Sequence, residues 1–281
     1  MAIHIVTDST ACLPEGYASE HGVTVIPLKV TLNDVTYLDG VDITGDQFYK
    51  KLEAGATAKT TQPSPEEFRA VYQGILDKDP DADILSVHIS SKLSGTLNGA
   101  LTARNLLEGA RIKLVDSLNA ALGVGYPVMR AVELAKAGVP VDKVITDIEA
   151  LCKRTHCYFI LQSLKYLERG GRIGKAAAIV GSILKMMPLM TYVDGAVDVI
   201  DRPRTKRVAL ERLWTVIDAA MHKGVDYIGF HYGTNRVEVE EFQREFTRRF
   251  NIPSFLTQLG PVVGTYSGPD MVGCCLTETA T

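Results

Sequence analysis

Short apolar runs and stretches of helical period alternate along the first half of this chain. Ile3 to Val6, Val23 to Leu28, Ile84 to Ile89 and Ile112 to Val115 read as strands. The first ends in Thr7-Asp8-Ser9-Thr10 and is followed by a short helix opening at Leu13-Pro14-Glu15, the start of a parallel α/β sheet. Leu28 to Tyr37, around Asn33-Asp34, reads as a β-hairpin, and Thr44 with Gln47 caps a helix carrying Phe48 and Leu52. Ser64 with Glu67 forms another capping box, Pro65 suits the first helical position, and Phe68, Val71, Tyr72 and Ile75 make one apolar face. Leu97 to Leu107 is helical, as is the small-residue run Ala120 to Ala137, interrupted near Gly125 and Pro127. A stripe from Val141 to Cys152 closes this half.

The rhythm changes from Cys157 onward. Leu189 to Val193 and Val197 to Ile200 pair across Asp194-Gly195 and precede a helix from Val208 to Ala220. Then come a strand (Tyr227 to His231), a helix (Val237 to Phe250) and short strands at Phe255 to Leu259, Val262 to Tyr266 and Val272 to Leu276. The predicted fold class is α/β: a three-layer α/β/α domain with a parallel sheet over residues 1–155, with a hairpin excursion at about 28–58, and a two-layer α+β domain with a mixed sheet over 156–281. A length of 281 residues, near where single cores stop growing, favours the same division.

Composition narrows the function classes. A net charge of −3 supplies no overall drive toward nucleic acid. No window reaches the ~18 apolar residues of a membrane span, and the first residues lack a basic leader. The five cysteines form no C-x-x-C pair, which fits a reducing cytoplasm.

Candidate chemistry concentrates where hydroxyls meet helix starts. Ser90-Ser91-Lys92-Leu93-Ser94-Gly95-Thr96 lies between a strand-like run and a helix, so backbone N–H groups and side-chain donors gather at a positive helix end suited to an anion. Lys59-Thr60-Thr61-Gln62-Pro63-Ser64 is a second such corner. Asp8 and Ser9 suit chemistry or capping, and capping is the commoner role. His88 and His231 read as packed histidines with no partner nearby in sequence, and Ser94 has no neighbouring base. The basic loop Leu167 to Lys175, with Arg169 and Arg172, leads into Ala176 to Leu184 and suits phosphate, an acidic partner or plain solvation; the run around Arg204 reads as a solvated helix start. No nucleotide, metal or other cofactor motif is present. A small-molecule phosphotransferase or hydrolase using Asp8, Asp116 and His231 stays as the alternative to a binding protein.

Together, Thr7 to Thr10 with Leu13-Pro14, Ile26-Pro27-Leu28, Thr60 to Ser64, Ser90 to Thr96, Val115-Asp116-Ser117, Leu167 to Ile173, Arg204-Thr205 and Gly260 to Pro269 resemble the DegV family of bacterial fatty-acid-binding proteins, in family order. The resemblance implies no catalysis by the chain itself, and a long-chain fatty acid in an apolar tunnel between the domains. Its carboxylate would be held by Thr60 and Ser94 with Thr61, Gly95 and Tyr266 nearby, and presented to a fatty acid kinase for acyl phosphate formation. It further implies a partner-facing role for Arg169, Arg172 and Arg204. The chain departs from the family in three places: Tyr266 stands where members commonly carry His, Met187-Pro188 replaces a Lys-Pro pair, and Gly268-Pro269-Asp270 replaces Gly-Pro-Gly.

Overall fold

The computed structural model describes residues 3–177 and 186–280. Strands β1 (Ile3–Asp8), β2 (Thr24–Ile26), β6 (Asp83–His88) and β7 (Arg111–Asp116) form a parallel sheet in the order β2-β1-β6-β7. Neighbouring residues on a strand point to opposite faces, so Ile5 and Val6 enter different cores. Val6, Ile84 and Ile112 pack under α3 (Pro65–Leu76) and α4 (Thr96–Asn105), against Phe68, Tyr72 and Ala100. Ile5, Leu85, Val87 and Val115 pack under α5 (Leu122–Lys136) and α6 (Val141–Arg154). Covered on both faces, β6 is buried along its whole length, as the central strand of such a sandwich must be.

The hairpin excursion is its own small antiparallel sheet, β4 (Val35–Leu38), β3 (Lys29–Leu32) and β5 (Ala58–Thr61), packed on α2 (Gly45–Glu53) through Val30, Leu32, Phe48 and Tyr49. Both capping boxes form as read, Thr44 with Gln47 at α2 and Ser64 with Glu67 at α3.

Helix α6 runs directly into β8 (Thr155–Ile160), and every later strand joins one mixed sheet. Its order is β10 (Ala196–Asp201), β9 (Leu189–Val193), β8, β13 (Val272–Glu278), β11 (Val225–Tyr232), β12 (Phe255–Gln258), with β11 and β12 parallel and the other pairs antiparallel. Helices α8 (Lys206–Lys223) and α9 (Arg236–Phe250) cover one face over Ile228, Phe230 and Leu276. The opposite face, with Cys157, Phe159, Met190 and Cys275, meets Ala121 and Leu122 of the first half. The β9–β10 turn has Asp194 at φ 50° and Gly195 at φ 80°, and its Gly195 carbonyl accepts a 2.8 Å hydrogen bond from Ser90 Oγ.

Three readings are corrected. Val262 to Tyr266 is not a strand but part of helix α10 (Pro261–Ser267): Pro261 pre-sets the first turn, Thr265 Oγ1 bonds back to the Pro261 carbonyl at 2.9 Å, and the buried Asp39 carboxylate accepts from the Val262 N–H. Pro127 does not interrupt α5, although it removes one intrahelical donor. The short helix expected at Leu13 starts at Tyr17, after a 3₁₀ turn over Ser9–Ala11. Beyond Ala177, the stretch to Leu184 that follows the basic loop lies outside the described residues.

Candidate functional site

A cavity of about 400 Å³ lies where the three sheets meet, within the ~300–1,000 Å³ typical of small-molecule sites. Leu28, Ile89, Leu93, Leu167, Val197 and Val262 make its apolar wall, while Thr60, Thr61, Gln62, Ser94, Arg172 and Tyr266 supply its polar groups. It adjoins an inner recess of about 50 Å³ bounded by Cys157, Phe159, His231, Leu259, Met271 and Cys274. Ala120, Leu167, Tyr192, Val263 and Tyr266 border both spaces. An outer hollow of about 590 Å³ shares Thr60, Arg172 and Tyr266 and adds Lys59 and Arg169.

Each polar group has a local reason for its place. Ser94 precedes α4, whose N-cap is Gly95 and has no side-chain cap; Ser94 Oγ accepts from the Thr96 N–H at 3.3 Å and lies 2.8 Å from Thr96 Oγ1. Gly95 lies against the Gln62 side chain, where a Cβ would come within 2.2 Å of Gln62 Oε1 and push that exposed side chain aside, and this contact brings the two hydroxyl corners together. Thr60 and Thr61 sit on β5 instead of opening a helix; Ser64, three residues beyond Thr61, does that. Thr60 Oγ1 shares a short hydrogen bond with Tyr266 Oη of α10. Arg172 hangs between Tyr266, whose ring centroid is 5.2 Å from the guanidinium carbon, and the Leu93 carbonyl, to which Nε donates at 3.0 Å. The head of the cavity therefore gathers hydroxyls and one guanidinium, a donor set matched to a carboxylate or phosphate.

Ser90 and Ser91 do not enter that set. The Ser90 hydroxyl is spent on Gly195, and the Ser91 N–H is directed to Asp116. Arg169 borders the outer hollow, whereas Arg204 is an exposed residue just before α8 and lines none of these three spaces.

Asp8, Asp116 and His231 do not share a cavity. Asp8 is fully buried: Oδ1 accepts from the Thr10 N–H at 3.0 Å, and Oδ2 faces His88 Nδ1 at 2.9 Å and the Ile89 N–H at 3.1 Å. Sequence spacing hid this partner of His88, which lies 80 residues away and arrives through the β1–β6 pairing. Asp116 accepts from the Ser91 and Leu118 N–H groups. His231 borders the inner recess, but Nε2 accepts from the Leu122 N–H and Nδ1 lies 3.0 Å from Thr257 Oγ1, while burial lowers its pKa to about 3. The ring is neutral, with both nitrogens occupied.

Gln62, Arg172 as a cavity residue and Tyr192 were not picked out by sequence reasoning; Gln62 lay inside the Lys59 to Ser64 corner and Arg172 inside the basic loop read as suited to phosphate or a partner, whereas Tyr192 carried no signal.

Fold and site thus define a three-sheet α/β protein with a largely apolar cavity that hydroxyls enter. The model of the DegV family, described as uncharacterised, matches residues 2–279, and the chain belongs to that family. A DegV domain-containing protein of Caldanaerobacter subterraneus is 34% identical over 281 residues, covering 98% of this chain and 99% of that one. Among solved structures, a fatty-acid-binding DegV family protein from Thermus thermophilus is 34% identical with a TM-score of 0.91, covering 99% of this chain and all of its own. DegV from Bacillus subtilis, a fatty acid binding protein, superposes equally well at a TM-score of 0.91, with 27% identity and coverage of 99% and 100%. No described helix is long and apolar enough to cross a membrane.

Proposed function

We propose that this protein binds a long-chain fatty acid in the 400 Å³ cavity, with the carboxylate on Thr60 and Ser94 and the tail directed toward the inner recess. The observation that carries this reading is the make-up of the cavity: a mostly apolar wall into which Thr60, bonded to Tyr266, Arg172, lying over the Tyr266 ring, and Ser94 bring a few donors. Burial of the chain at about 0.8 kcal/mol per methylene supplies most of the affinity, and the head-group donors fix orientation. Tyr266 bonds to Thr60 and so acts as a third hydroxyl of the head-group site. The fatty-acid-binding relatives support the ligand class.

With the chain divided into domains at 1–155 and 156–281, the cavity draws walls from both, since Leu28, Thr60 and Ser94 come from the first and Leu167, Val262 and Tyr266 from the second. The outer hollow, with Lys59, Arg169 and Arg172, suits the phosphoryl group that a fatty acid kinase would transfer to the carboxylate, so the protein serves as a carrier that presents its cargo to that partner. Arg204, away from the cavity, is assigned to the partner-facing surface.

Native mass spectrometry of the purified protein, followed by solvent extraction, tests the reading. One fatty acid per chain is the expected result. A mass that stays ligand-free after incubation with long-chain fatty acids would overturn it.

A further inference from the structure

Tyr192 stands on β9 where the main cavity joins the inner recess, and it borders both. Its ring is held by Phe159, 5.2 Å away centroid to centroid, and by the cluster of Leu122, Cys157 and Cys275. The hydroxyl has no hydrogen bond to any described residue. It is also not sealed inside protein, as the hydroxyl of Tyr227 is. Tyr192 is only half-buried by surface area, yet the protein around it desolvates the phenol strongly and raises its pKa far above the ordinary value of 10.0. Both observations agree when the accessible surface of this residue is cavity wall.

Among the described residues, two polar groups lining the same recess are engaged elsewhere. The nitrogens of His231 are taken by the Leu122 N–H and Thr257, and the Cys157 thiol is directed to the Ala120 carbonyl at 3.6 Å. A plain methylene chain passing this point displaces any water and leaves a buried donor without an acceptor, which is costly. An oxygen on the chain removes that cost.

Resting on the fatty-acid reading, we propose that the cavity is built for an acyl chain carrying a hydroxyl or keto oxygen beyond its carboxylate, and that Tyr192 Oη donates to that oxygen. Tyr192 is thereby a specificity-determining residue, separate from the head-group set.

The test compares octadecanoic acid, an octadecanoic acid hydroxylated near mid-chain and the corresponding ketone, titrated into the wild type and Tyr192→Phe. The wild type is expected to favour the oxygenated chains by about two- to tenfold, the worth of one net hydrogen bond. Tyr192→Phe, which keeps the ring packing, brings the ratio near one. A wild type that prefers the plain chain, or an unchanged ratio in the variant, overturns the proposal while leaving the carrier reading intact. A wild type that binds none of the three overturns both. Thr60→Ala serves as the control, weakening all three acids by a common factor.

Discussion

In the proposed site Thr60 and Ser94 each offer a hydroxyl to a charged head group, and hydrogen bonds of that kind are worth roughly 1.5–3 kcal/mol. Thr60→Ala and Ser94→Ala are therefore expected to weaken fatty acid binding by that amount in a titration, and unchanged affinity in both would remove the head-group assignment. At the same scale, two buried titratable groups pull stability in opposite directions with pH. Burial raises the Asp39 carboxyl from 3.8 to about 7, despite its bonds from Ser9 Oγ and the Val262 N–H. Between those values the native state keeps a proton that the unfolded chain releases, so this group's contribution falls as pH rises, by up to about 1.4 kcal/mol per unit. His231 is depressed from 6.5 to about 3, so its contribution is lost as pH falls below 6.5. Asp39→Asn removes only the first slope, and denaturant unfolding should show the variant gaining on the wild type as pH rises from about 4 to 7. Parallel profiles would exclude this role for Asp39.

Among the elements, the glycine loop after α7 (Lys165–Arg169) shows how adjacent glycines answer to different constraints. Gly170 has an ordinary φ of −79°, but a Cβ there would lie 2.3 Å from the Tyr266 ring. Gly171 has open space around it and a φ of +69°. Gly170→Ala is expected to displace Tyr266 from Thr60 and cost about 1 kcal/mol of fatty acid affinity. Gly171→Ala is expected to cost about 1–2 kcal/mol of stability through the left-handed backbone and to leave affinity alone. The same outcome for both variants, in binding and in melting temperature, would refute the distinction. Sequence reading treated this loop as one basic segment, because local sequence does not reveal that α10 lays an aromatic ring on it. Helix α10 was itself misread as a strand: the Val262-Val263 pair signals β, whereas Pro261 and the distant Asp39 settle the first turn as helical.

For the molecule as a whole, a fatty acid held as proposed, in a cavity lined from Leu28 to Tyr266, would bind the folded state alone. Fatty acid at about 100 times its Kd should therefore raise stability by about 2.7 kcal/mol. A fatty alcohol of equal length lacks the charged head, and thermal melts should show a clearly smaller shift for it; equal shifts would mean that the polar end plays no part in recognition.

The linear sequence by itself determined the parallel α/β opening, the mixed second sheet, both capping boxes and the Asp194-Gly195 turn. These rest on backbone bonds and hydrophobic period within a few residues of each other, which local residue types encode. Motif resemblance marked Thr60 and Ser94. Only the tertiary structure decided that Asp8 serves His88 and Ile89, that Ser90 docks the distant hairpin, that Arg172 belongs to the cavity and that Tyr192 borders its depth. Those facts depend on residues tens to hundreds of positions apart meeting at one point, and a cavity is the space left over by that packing, which no local pattern of residues specifies.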